Sequence, residues 1–347
     1  MEERKRAQRR GTAMTRKAPH RLCLAVTGAQ TFLGRNLIGL LEEDPKVARI
    51  IALDTIAPDT AGEKTHFYEL DVSQPAAEER LAEILGAEAV QCVAHLAFLE
   101  APTQATAWAH ELESVGTMHV LNACRRSNVR KFIMRSHTSL YGAHPTNPNF
   151  LTEAHPLRAR AGEPYFADKL QAERDALRFG KPGSGRSVTL LRMAPILGPG
   201  VQNAITRYLG RRAVPTLLGF DPLWQFLHEA DAVAALKLAV NRDVAGIYNI
   251  VGQGVLPLST AIKLAGRVNV PLPSPFARSL ARALWVAHLL EAPPALLDYL
   301  QYICVADGAA AEDHLGFVPA FTTREAVIDF ANAQHLRDVR LLSEANP

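Results

Sequence analysis

Residues 27–34 read TGAQTFLG, between the apolar run LCLAV (22–26) and the helix-like FLGRNLIGLLEED (32–44). A strand that turns sharply into a helix leaves the first helical N–H groups without partners, and the helix dipole favours an anion there, so a pyrophosphate fits if nothing bulky blocks it. Gly28 would supply the tight turn and Gly34 the close approach of helix to strand. Position 31, where such loops usually carry a middle glycine, holds threonine. If φ there must be positive, a β-branched residue is strained; if not, its hydroxyl can face a phosphate. Gly28, Gln30, Thr31, Phe32, Leu33 and Gly34 form the candidate cofactor loop.

Working outward, the next apolar run, IIALD, ends in Asp54, twenty residues beyond Gly34. A carboxylate at that distance accepts hydrogen bonds from an adenosine ribose and repels a 2′-phosphate, which favours NAD over NADP. Further short apolar runs, AVQCVAHLA (89–97), RKFIMRS (130–136) and SVTLLRMAP (187–195), alternate with amphipathic stretches such as SVGTMHVLNACRRSNV (114–129). That alternation predicts an α/β fold of the Rossmann type, a doubly wound parallel sheet covered on both faces. After Pro195 the character changes to Pro/Gly-bearing connections and the apolar, proline-broken segment 271–302. The expected organisation is a disordered basic leader over 1–20, an NAD-binding domain over 21–195, and a smaller, mostly helical substrate lobe over 196–347 that returns some segments to the sheet.

Composition narrows the function classes. The formal charge of +3 conceals eight basic residues against Glu2 and Glu3 in the first 21 positions, so the remainder is net acidic. The leader has no aromatic interleaving or folded motif beside it, and no nucleic-acid role is expected. LCLAV is too short for a secretory apolar core, and no apolar run reaches the roughly 18 residues of a membrane span. Four scattered cysteines without a CxxC pair and twelve histidines without HxxxH spacing indicate neither a disulfide framework nor a metal site. A cytoplasmic setting is expected.

PYFADKLQAE (164–173) places Tyr165 and Lys169 four apart on a helix opened by Pro164, so both emerge on one face. A neighbouring ammonium stabilises phenolate, and the pair suits an acid/base whose pKa must fall from about 10 toward neutrality.

Taken in order, TGAQTFLG, ELDVSQP, VAHLAF, VGTMHVLNACRRSNVRKFIMRSHTSLYGA, PYFADKLQAE, LRMAPILGPG, QFLHEADAV and GIYNIVG resemble the extended branch of the short-chain dehydrogenase/reductase superfamily, the NAD-dependent epimerase/dehydratase type. The resemblance implies that Asp71 and Val72 flank the adenine, that Leu96 and Ala97 line the cofactor channel, and that Lys169 also holds the nicotinamide ribose. It implies that Tyr165 exchanges a proton with a substrate oxygen while a hydride moves to or from the nicotinamide. A homodimer is implied as well.

Besides Thr31, two positions depart from that pattern. The catalytic serine or threonine four residues before Tyr141 is His137, whose imidazole N–H can still donate to a carbonyl oxygen, with Thr138 or Ser139 as substitutes. In PLWQFLHEADA the arginine that binds a nucleotide-sugar pyrophosphate is Trp224, which cannot reproduce bidentate phosphate geometry. Arg207, Arg211 and Arg212 either replace it or form a solvated helix face. The expected function is NAD-dependent hydride transfer at a secondary alcohol or ketone carbon of a small molecule less charged than a UDP-sugar. The alternatives are a sugar-nucleotide epimerase or dehydratase, and a catalytically silent NAD(H)-binding sensor or interaction protein.

Overall fold

The computed structural model describes residues 21–345 apart from 128, 160–162 and 291; the leader expected over 1–20 lies outside them. Seven parallel strands form one sheet: β1 (Leu22–Thr27), β2 (Val47–Asp54), β3 (Thr65–Glu69), β4 (Cys92–His95), β5 (Lys131–His137), β6 (Ser187–Met193) and β7 (Gly246–Ile250), in the order β7-β6-β5-β4-β1-β2-β3. Strand direction along the chain reverses its lateral progress between β1 and β4, and a crevice at the carboxyl ends of strands flanking such a switch is where ligands bind in open α/β sheets.

Helices cover both faces, as near-continuous apolar strands require. On one side α1 (Phe32–Glu42) packs against α6 (Glu229–Asn241). Leu33, Leu37, Ile38 and Leu41 recur at helical spacing and are buried with Ala232, Val233 and Leu236, each large side chain contributing about 1.5–3 kcal/mol. On the other side lie α2 (Ala77–Ala87), α4 (Gly116–Arg126) and α5 (Pro164–Phe179), meeting the sheet through Leu81, Leu85, Val120, Ala176 and Phe179. A short helix α3 (Thr106–His110) runs into α4 through one π-helical turn, Glu111–Val115.

The sheet's far edge is tied by a row of polar side chains in register on three adjacent strands: Ser136 on β5, Arg192 on β6 and Asn249 on β7. Arg192 donates to both oxygens of Glu173 on α5 (3.1 and 2.7 Å) and to the Tyr141 hydroxyl (3.0 Å), which in turn donates to Asn249 Oδ1 (2.8 Å). Ser136 Oγ closes the row onto Glu173. The C-terminal lobe is built on short strand pairs, Ala213–Leu217 with Val268–Leu272 and Leu223–Trp224 with Leu256–Pro257, and on α7 (Ser274–Val286). Its own core gathers Leu209, Leu217, Phe226, Ile262 and Val327. No helix among the described residues is long and apolar enough to cross a membrane.

Helix α1 crosses close over the turn after β1 at Gly34, where a Cβ would stand 2.1 Å from the Gly28 carbonyl oxygen. Gly34→Ala is expected to lower unfolding free energy by about 1–3 kcal/mol through that clash, whereas Gly86→Ala, on α2 with nothing within 4 Å, raises it by about 0.5–1 kcal/mol. Urea unfolding of both variants distinguishes the two; equal effects would contradict the close crossing.

Candidate active site

The glycine loop forms at the carboxyl end of β1. Gly28 has φ +70°, and a Cβ there would lie 2.6 Å from the backbone of Leu96 and Ala97 at the end of β4, so the two chain segments meet only because this residue is glycine. Thr31 has φ −59° and is not strained. Its hydroxyl caps α1, accepting from Gly34 N (3.1 Å) and donating to Gly28 O (2.7 Å), a role within the loop that is neither the strain nor the phosphate contact weighed from the sequence. Phe32 and Leu33 keep amides at the first helical turn with no acceptor among the described residues, the arrangement that binds an anion. Gln30 Oε1 is also buried without a partner there.

Asp54 ends β2 beside this turn, accepting from Gln30 N (2.9 Å) and Thr55 N (2.7 Å), with lone pairs left for ribose hydroxyls. Asp71 and Val72 follow β3. Burial works against ionisation of Asp71, but hydrogen bonds from Ser73 and Gln74 outweigh it and hold the carboxyl below its ordinary pKa. Val72 O accepts from His119 Nδ1 at 3.0 Å. Loop, Asp54 and the Leu96–Ala97 backbone together fit a dinucleotide: free amides for the pyrophosphate, a carboxylate for the ribose, and a bare Cα where a side chain would close the crevice.

Beyond the ends of β4, β5 and β6 lies a cavity of about 620 Å³ that brings together His137, Ser139, Tyr165, Trp224 and the Arg135–Glu100 pair. Alternation along β5 separates Arg135 and His137 from Ser136. Arg135 is bidentate to Glu100 (2.7 and 2.9 Å) and buried, and its Nε has no partner among the described residues. His137 Nε2 is likewise unpartnered. Burial, reinforced by the cations of Arg135 and Lys169, drives the His137 pKa well below its usual value, so the ring is neutral. Thr138 is buried, does not line the cavity, and leaves that position to Ser139.

The tyrosine and lysine differ from the sequence expectation in their electrostatics. Lys169 is buried and donates to both oxygens of Glu113 on the π turn, at 2.5 and 2.6 Å. Its Nζ sits over the Tyr165 ring, 4.3 Å from the centroid. The phenol is accordingly not lowered: burial first, then the Glu113 charge, raise its pKa above the ordinary tyrosine value, with Arg135 opposing.

Trp224 donates from Nε1 to Tyr299 O (3.1 Å) and stacks on Tyr208. The wall around it is apolar, with Leu280, Ala281 and Leu284 of α7, Leu290 and Leu297. Arg207 and Arg211 also line the cavity, whereas Arg212 does not.

Glu113, Arg135 and Glu100 were not singled out in the sequence. A cation directly after the apolar FIM of a strand was the available signal for Arg135. Glu113 offered none, sitting in an acidic stretch that reads as a solvated helix face.

A profile of the NAD dependent epimerase/dehydratase family matches residues 24–251. An uncharacterized protein of Mycobacterium tuberculosis is 33% identical over 321 residues, 90% of this chain and 84% of the relative. A 3-diazoavenalumate denitrifying reductase of Streptomyces is 28% identical over 230 residues, 63% of this chain and 70% of that protein. Among solved structures, UDP-glucose 4-epimerase of Thermotoga maritima with UDP-glucose superposes with a TM-score of 0.71 at 18% identity, covering 92% of this chain and all 100% of that one. The dTDP-glucose 4,6-dehydratase of Bacillus anthracis in complex with NAD gives 0.69 at 16% identity, covering 92% and 98%. With a family match over most of the chain and a crevice whose amides, glycine and carboxylate suit its cofactor, this protein belongs to the NAD-dependent epimerase/dehydratase family.

Proposed function

We propose that the protein is an NAD-dependent oxidoreductase acting at a secondary alcohol or ketone carbon of a small molecule less charged than a UDP-sugar. The observation that carries this reading is the two-ended cavity: Tyr165, His137, Ser139 and Arg135 stand among its lining groups, while the lobe contributes leucines, prolines and aromatics. An apolar body is favoured against such a wall by about 25 cal/mol per Å² of surface removed from water. A pyrophosphate, in contrast, finds Trp224 where a bidentate arginine would serve it.

NAD supplies the hydride acceptor or, reduced, the donor. Phe32 and Leu33 amides hold its pyrophosphate, Asp54 its adenosine ribose, and the Asp71–Val72 and Leu96–Ala97 backbones flank it. Tyr165 passes a proton to or from the substrate oxygen. His137, kept neutral by burial, donates an N–H to that oxygen from Nε2, with Ser139 alongside. The similarity to a reductase of Streptomyces supports this class of reaction.

A second reading, a sugar-nucleotide epimerase, is favoured by one observation: Arg207 and Arg211 reach the cavity wall. Protection of the protein from thermal unfolding by a UDP-sugar, and not by apolar ketones, would establish it over the first.

Tyr165→Phe is expected to reduce turnover of a ketone panel by about 10²–10⁴ while NADH affinity, measured by fluorescence titration, stays within twofold or so of wild type; unchanged turnover would remove Tyr165 from the mechanism. Ala281→Trp, placing bulk from α7 into the apolar end, should cut kcat/KM for large apolar ketones by about tenfold or more and spare compact ones. Equal losses for both sizes would show that the substrate does not extend toward α7.

A further inference from the structure

Lys169 follows Tyr165 by four residues on α5, the spacing that sets two side chains one above the other. Its ammonium nevertheless turns to the Glu113 carboxylate, engaging both oxygens at 2.5 and 2.6 Å, and meets Tyr165 through the ring face, 4.3 Å from its centroid. Both members of the pair are 2% exposed, so water screens neither. The carboxylate is fixed from a third side by Leu99 N, 2.8 Å from Oε1. Glu113 is carried by the single π turn that interrupts the run from α3 into α4, and π turns inside α-helices are frequent at functional sites.

A lone ammonium beside a phenol stabilises the phenolate, whereas an ammonium closed on a carboxylate does so much less. The geometry points to Glu113 as a positioning residue that seats Lys169 and cancels its charge at Tyr165, so that Tyr165 serves as a proton donor and the site is set for carbonyl reduction. The inference rests on the role of Tyr165 proposed above. Reduced nicotinamide, when bound, would supply the hydride for the new C–H bond, with the C=O π pair passing to oxygen. The Tyr165 O–H bond breaks as its proton joins that oxygen, and the phenolate left behind is reprotonated from solvent.

The other charges facing the two side chains are themselves paired. Arg135 on β5 is closed on Glu100, His110 on α3 contacts Asp168 at 2.6 Å, and Glu173, one turn further along α5, is held by Arg192. His137 is neutral and the Tyr299 phenol, from the lobe, is raised by burial. Burial lowers the Lys169 pKa and the Glu113 carboxylate is the first charge that opposes this; the same carboxylate raises the phenol, so Glu113 is the group whose neutralisation changes the charge that both side chains meet. With Glu113 present, burial and its carboxylate hold the phenol protonated above its usual range; without it, ionisation moves to lower pH, and the alkaline fall in reduction rate moves with it.

The test reads the phenol directly, in protein free of cofactor and substrate, from the ultraviolet absorbance of phenolate against pH, each background corrected by its Tyr165→Phe counterpart. Glu113→Gln is expected to lower the Tyr165 midpoint by about 1–3 pH units, and adding Lys169→Met to raise it again. A folded Glu113→Gln protein that titrates like wild type overturns the inference. If that variant does not fold, Glu113→Asp, whose shorter side chain draws back from Nζ, carries the same test: a smaller downward shift supports the assignment and none refutes it. Because no turnover is measured, failure here is separate from failure of the ketone assays.

Discussion

One buried guanidinium organises the half of the sheet that borders the cavity. Arg192 lies in register with Ser136 and Asn249 on the neighbouring strands, and it reaches Glu173 on α5 and Tyr141 on the turn after β5. Two charges removed from water cost several kcal/mol each, and their attraction offsets this only when the remaining donors and acceptors are also satisfied. Here Ser136, Tyr141 and Asn249 supply those partners. The pair need not add net stability to matter, since losing one member would leave a buried charge alone at a cost of about 3–5 kcal/mol.

The geometry of the crevice follows from that constraint. Glu173 is two turns beyond Tyr165 on α5 and one beyond Lys169, so anchoring it to Arg192 fixes the rotation of the helix that carries both. The same row fixes the end of β5, from which Arg135 and His137 emerge. Helix and strand are thus aligned by groups that do not themselves line the cavity. On the other side of the switch, bare Cα atoms at Gly28 and Gly34 let β1, β4 and α1 approach closely enough to leave a crevice between them.

What could be read in the sequence was what local spacing controls. Five strands announced themselves as short apolar runs, Asp54 by its distance from Gly34, and Tyr165 with Lys169 by one helical turn. Contacts across long separations were not visible: Glu113 meets Lys169 across 56 residues, through a π turn that shifts helical phase by one position and so defeats reasoning from a 3.6-residue period. For the same reason the sequence predicted a lowered phenol where burial and Glu113 raise it. Thr138 and Ser139 could not be told apart either, because the chain leaves strand geometry at His137 and enters a 3-10 turn at Thr138.

Thr31 stands where a third glycine was expected, and its hydroxyl satisfies one helical amide from within the loop. A glycine there would have left the turn to be ordered by its ligand, with the loss of chain entropy charged against affinity. The threonine fixes the turn beforehand, leaving two amides free and a preorganised loop that would give up little disorder on taking a dinucleotide.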